Sequence, residues 1–235
     1  TSYSGGAIGG FLGGSIGTTT ITMNYCYSEF TILVSGLFGT GDTTFIGGFL
    51  GGYVSGVSST WVMNYCRSSG SIYIDVDGNF IVGGFQGNGG NTGTPVQCMA
   101  DVSIEAPNVT GSKTLYVGGF TGSIGTCTNC YSRGSVMLLG HSTSGARIGG
   151  FGGSINSAIN CYSTGEVGQF DNYGGFAGFT GNCTSCYWDT ETSGTTQGWG
   201  SGTPTGVTGK TTDEMSQHSQ IGTLIPFGLY PNIRK

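Results

Sequence analysis

The stretch Ile148-Gly149-Gly150-Phe151-Gly152-Gly153-Ser154-Ile155, followed by Asn160-Cys161-Tyr162-Ser163, decides the fold. Its Gly-Gly-Phe triplet recurs along the chain, with rings at Phe11, Phe49, Phe85, Phe120, Phe151 and Phe176. A cysteine follows each ring in turn: Cys26, Cys66, Cys98, Cys130, Cys161 and Cys186. The order never breaks, and the last three units share one Phe-to-Cys spacing. This is an internal repeat, whose units stack on a shared core and are not independent domains.

Working outward, each unit divides into short pieces rich in Thr, Ile, Val and aromatics, punctuated by glycine. In the second unit Ile72, Ile74 and Val76 alternate with Tyr73, Asp75 and Asp77, the period of a strand with one buried face. Three short strands per unit and almost no helical pattern predict an all-β fold, a right-handed parallel β-solenoid of about six coils. The coils fall near 4–42, 43–80, 81–115, 116–146, 147–172 and 173–194. Equivalent residues are expected about 4.8 Å apart, giving a rod on the order of 30 Å long. The phenylalanines would form one inward ladder and the cysteines another. Residues 195–235 are expected to be a linker and cap. Within them Lys210-Thr211-Thr212-Asp213-Glu214-Met215 offers a threonine N-cap for one short helix, and Ile225 to Lys235 form an apolar tail expected to cover the last coil.

Composition narrows the function. Glycine supplies 49 of 235 residues, yet there are only 5 prolines and no collagen period, so the glycines belong to turns and close approaches. Charged residues are 8% of the chain, and the net charge of -5 with seven Lys and Arg leaves no basic surface for nucleic acid. No apolar run is long enough to span a bilayer. Eight cysteines without zinc-type grouping point to an oxidising, extracellular or cell-surface setting, and the chain is expected to be a mature or excised fragment. The scarcity of charge offers little repulsion against packing on further copies.

The units and the closing phrases resemble a known family. The pattern Gly-Gly-Phe-x-Gly … Ile-Asn-Cys-Tyr-Ser-x-Gly is similar to the GLUG motif, a glycine-rich repeat of bacterial surface adhesins and of accessory regions in immunoglobulin-A peptidases. Cys186 to Gly194 (CYWDTETSG), Gly209 to Met215 (GKTTDEM) and Leu229 to Lys235 (LYPNIRK) look like the section that follows such repeats. The resemblance implies an extracellular stacked-β module and does not imply catalysis. Phe stands where the family more often has Leu, and cysteine is more abundant here.

The cysteines are the chief chemical feature. Cys127 and Cys183 precede Cys130 and Cys186 by three residues. The two pairs lie too far apart along the stack for one zinc site, so no metal is expected. Local bridges Cys127–Cys130 and Cys183–Cys186, a vertical Cys26–Cys66 bridge, and a complete set with Cys98–Cys127 and Cys130–Cys161 all remain open. So does a ladder of free thiols, and partial pairing is the expectation.

Other candidates are weaker. Asn108 and Asn182 head glycosylation sequons. Asp75-Val76-Asp77-Gly78-Asn79 is part of a calcium loop without its bidentate glutamate, and a turn explains it better. Asp189 and Glu191 are a carboxylate pair within a turn-like phrase. His141 and His218 have no nucleophile beside them. Thr18-Thr19-Thr20-Ile21-Thr22 is Thr-rich, but later units do not continue the array. Tyr27, Tyr131, Tyr162 and Tyr187 would form an exposed aromatic strip for glycans or a partner, or a packed ladder. No catalytic set and no cofactor are expected. The sequence therefore predicts a non-enzymatic structural protein, a subunit of a surface filament or cell-surface layer that self-associates through its coil ends. The alternative is an adhesive, glycan-binding module of a larger secreted protein.

Overall fold

A computed structural model describes residues 6–15, 20–35, 43–53, 60–90, 93–109, 114–138, 145–168 and 172–216. The fold is all-β, with a single four-residue helix among those residues. The strands lie in three sheets, and the pairings between them are parallel.

Successive units add one rung to each sheet. The first sheet runs Ala7–Gly9, Thr43–Gly47, Asn79–Gly83, Leu115–Gly118, Arg147–Gly149 and Tyr173–Gly174. Its register aligns the first glycine of every triplet, Gly9 through Gly174. The second sheet is split in the early units, as in Leu12–Ser15 and Thr20–Asn24. It becomes continuous later, in Thr121–Thr128, Gly152–Ile159 and Ala177–Thr184. Extra residues inserted between the two halves explain why the early Phe-to-Cys spacings are longer. The third sheet includes Tyr27–Ser35, Arg67–Asp75, Met99–Ala106, Tyr131–Ser132, Tyr162–Ser163 and Cys186–Asp189. Here Ile72 and Ile74 are buried while Asp75 is exposed, so the alternation in sequence is a real division of faces.

The Phe rings stack along the interior. Consecutive centroids from Phe11 to Phe176 lie 4.7–5.0 Å apart, with planes within 1–6° of parallel. The five rings from Phe49 onward are fully buried, while Phe11 at the open end is 49% exposed. The glycine before each ring is required by close approach: a Cβ on Gly150 would stand 2.3 Å from the carbonyl oxygen of Gly175. Four of these carbonyls take a hydrogen bond from a serine of the third sheet, while the third unit has Ala100 at that position. Ser28, Ser68, Ser132 and Ser163 donate to the oxygens of Gly48, Gly84, Gly150 and Gly175 at 2.6–2.9 Å. These buried hydroxyls tie the wall of one unit to the bend of the next, which gives the serine of Cys-Tyr-Ser a structural reason. Beside the Phe ladder a second inward column grades in size and polarity: Leu12, Leu50, Gln86, Thr121, Gly152 and Ala177. Ile155 fills the space left at Gly152.

One expected boundary is different. Residues 199–210 are not a linker: Trp199–Gly202 pairs with Ala177–Thr184, and Val207–Lys210 pairs with Cys186–Asp189. The amide of Phe176 donates to Gly198 O at 2.9 Å, as Phe151 donates to Phe176 O at 2.7 Å. Gly198 thus takes the place of a seventh phenylalanine. The Trp188 indole fills the vacated space, packed over Gly175, Gly198 and Gly209, with its Nε1 donating to Thr195 O at 3.2 Å. This rung lacks a Gly-Gly-Phe signature, which hid it from the repeat pattern. The helix Thr212–Met215 begins in the stretch expected to cap one, at Thr211, whose hydroxyl accepts from the Glu214 amide while the Glu214 carboxylate accepts from the Thr211 amide. The apolar tail of residues 225–235 lies outside the described residues.

Candidate functional site

The cysteines sit at a sharp corner between the second and third sheets. The residue before each ladder cysteine has a left-handed backbone: Tyr25, Tyr65, Gln97, Asn129, Asn160 and Ser185, with φ between 52° and 56°. That reversal turns the following thiol inward. The thiols donate in a repeating pattern, to the carbonyl two residues earlier and to one in the preceding unit. Cys98 reaches Val96 O at 3.4 Å and Met63 O at 3.3 Å; Cys186 reaches Thr184 O at 3.5 Å and Ala158 O at 3.4 Å.

All eight cysteines are free, so the expected partial pairing is overturned. The physical reason is the stacking itself. Equivalent cysteines adopt equivalent positions one rung apart and reach backbone oxygens of the preceding unit, so neighbouring sulfurs interact along the column without standing at bonding distance. Cys127 and Cys183 join this interior, in register with Ala158 between them. Burial pushes the Cys130 thiol up, and the hydrogen bond from Cys161, followed by burial, does the same for Cys127. These groups behave as neutral, small apolar side chains.

The tyrosines divide. Tyr27 is exposed, but Tyr131 and Tyr162 are buried and Tyr187 is half-buried, so the exposed strip is corrected to a packed column. Tyr131 and Tyr162 stack at 4.9 Å and pack with Met99 and Met215, the Tyr131 hydroxyl meeting Met99 Sδ at 2.8 Å. The short helix brings Met215 back over this outer face of the third sheet. Burial raises the Tyr131 phenol to about 12. The exposed aromatic pair is a different one, Tyr25 over Tyr65 at 4.8 Å.

The carboxylate candidates are engaged in local hydrogen bonds. Asp189 is buried; its Oδ1 accepts from the amides of Glu191 and Thr192 at 2.9 and 3.1 Å, and its Oδ2 from Thr212 Oγ1 at 2.8 Å. Glu191 accepts from the Thr212 amide at 2.9 Å. The two carboxylates therefore hold a turn and anchor the helix. Asp75 accepts from the Asn108 side-chain amide, and Asn79 Oδ1 from the Thr114 amide at 3.1 Å. Asn108 and Asn182 are exposed, as are Thr20 and Thr22. Thr18, Thr19, His141 and His218 lie outside the described residues. Among the described residues no three His, Cys, Asp or Glu side chains are grouped to hold a metal ion. No helix among them is long and apolar enough to cross a membrane.

That leaves the two ends. At the first, Ala7–Gly9, Leu12–Ser15, Thr20–Asn24 and Tyr27–Ser35 are edge strands, each paired on one side among the described residues. Around them Phe11, Tyr25 (76%) and Leu33 (66%) are exposed. At the other end Trp199–Gly202 and Val207–Lys210 are also paired on one side among the described residues. Between these two strands runs a groove of about 520 Å³, lined by Trp188, Gln197, Trp199, Val207 and Thr208 among others. No protein family, curated protein or solved structure matches the chain.

Proposed function

We propose that this chain is a non-enzymatic structural protein, a right-handed parallel β-solenoid of six coils closed by a seventh, partial rung at residues 199–210, that builds an extracellular filament or cell-surface layer. Its copies join head to tail through their coil ends. The observation that carries the reading is the pair of complementary ends: edge strands of the same direction, one set beside the exposed faces of Phe11 and Leu33, the other beside a Trp-lined groove. In a stack whose rungs all run parallel, the edge unpaired among the described residues at one end matches the edge unpaired among them at the other. Such a heterologous contact generates an open filament. Right-handedness follows from the usual sense of parallel crossovers. The likeness of the units to GLUG repeats and the scarcity of surface charge support the same role.

Sedimentation velocity and negative-stain electron microscopy test it. The unaltered chain is expected to form concentration-dependent rods, whereas Phe11→Lys and Trp199→Lys each remain monomeric. Mixing the two variants restores a dimer, since each keeps one competent end. A chain that stays monomeric at millimolar concentration, or a mixture that fails to pair, overturns the proposal.

The exposed Tyr25–Tyr65 stack favours a second reading, an adhesive module that binds cell-surface glycans against aromatic faces. A glycan array silent toward the unaltered chain removes it.

A further inference from the structure

We propose that Cys127 and Cys161 are a redox-sensitive pair, joined by hydrogen peroxide into a disulfide that staples the fourth unit to the fifth. Their sulfurs lie 3.7 Å apart, in direct hydrogen-bond contact, with both side chains buried. A disulfide needs about 2.05 Å between sulfurs, so the two side chains must close the remaining gap on oxidation.

The pair is special because its members come from different columns. Ladder cysteines such as Cys130 and Cys161 occupy equivalent positions and send their thiols to carbonyls of the preceding unit. Cys127 instead holds the last inward position of its strand, facing the corner cysteine of the next unit. In the preceding units that position is Met23, Met63 or Pro95, whose carbonyls receive the thiols of Cys66, Cys98 and Cys130. Only the fourth unit places a thiol there with a corner cysteine, Cys161, following it. The residue paired with Cys127 across the rung is Ala158, whose methyl leaves room for the two sulfurs to meet.

The chemistry balances with peroxide as the two-electron oxidant, which is small enough to reach a buried site. One thiol gives up its proton, and its sulfur attacks the O–O bond to form a sulfenic acid while hydroxide leaves and is protonated to water. The second sulfur then displaces the sulfenic oxygen, forming the S–S bond and releasing a second water. Two S–H bonds break, one S–S bond forms, and peroxide is reduced to two waters.

The test treats the full reduced chain with a slight excess of peroxide, followed by peptide mapping and thermal melting. The expected product is a Cys127–Cys161 cross-linked peptide. Its closed loop spans a sequence separation of 34 residues and raises the melting temperature by on the order of 10 °C, reversibly on addition of dithiothreitol. Cys127→Ala places in this unit the residue that Ala158 supplies in the next, so the variant folds; it and Cys161→Ser lose the shift, while Cys183→Ser keeps it. Mapping that finds Cys130–Cys161 or Cys183–Cys186 instead, sulfinic adducts alone, or a shift that survives in Cys127→Ala, overturns the proposal.

Discussion

Gln97 holds the same left-handed corner that Asn129 and Asn160 hold in later units. Asparagine visits this region more easily than glutamine, because its short side chain hydrogen-bonds locally and its Cβ is less crowded. Asn160 also donates to Asn129 Oδ1 at 3.0 Å, so an amide one unit earlier would extend that column. Gln97→Asn is therefore expected to stabilise the chain by about 0.5–1 kcal/mol, measured as a higher urea midpoint with an unchanged slope. This corner was only partly legible in sequence. The cysteine after it is constant, but the strained residue itself is Tyr, Tyr, Gln, Asn, Asn or Ser. Residue type alone does not reveal a shared backbone angle. The serine-to-glycine ties were hidden for another reason: their partners belong to different units, and no local pattern links Ser132 to Gly150.

At the scale of the element, the third sheet's outer face illustrates how a short helix changes a surface. The sequence places Tyr131 and Tyr162 beside inward cysteines, and alternation then points them outward. Alternation says nothing about what returns to cover them, which is Met215 on the helix capped by Thr211. The cost appears at high pH. Burial raises the Tyr131 phenol from 10.0 to about 12, so the folded chain holds that proton more tightly than the unfolded chain. Its stabilising contribution is complete below about pH 10 and is lost as pH rises through about 12. Across that window the unaltered chain is expected to lose about 2 kcal/mol more than Tyr131→Phe, the difference being read from paired urea titrations.

For the whole molecule, the repeat was the legible feature: strands, sheet direction and the Phe positions followed from it. Its limits were set by signature. Trp188 replaces the buried serine in the sixth unit, and the rung after it carries Gly198 in place of Phe and Gly209 in line with the serines, so the pattern ended before the sheets did. Stability in such a stack depends on neighbours on both sides. Phe120, between two rings, and Phe11, with one ring beside it, should therefore respond differently to truncation. Phe120→Ala is expected to cost about 3–5 kcal/mol, as for other buried aromatics. Phe11→Ala should cost less than half as much, about 1–2 kcal/mol, because one face of its ring already meets water. Equal losses in thermal melts would contradict the one-sided environment of Phe11.

The graded column from Leu12 through Gln86 and Thr121 to Ala177 has a consequence for how the chain finds its structure. A ladder of identical rungs permits slippage, since a strand paired one unit out of place meets the same neighbours and loses only contacts at the ends. Beyond the first two units, which both carry leucine, a misplaced rung would set a large side chain into a small site or leave a void opposite Gly152. Unlike neighbours thus act as a count, and the chain can distinguish its third turn from its fourth before the stack is complete.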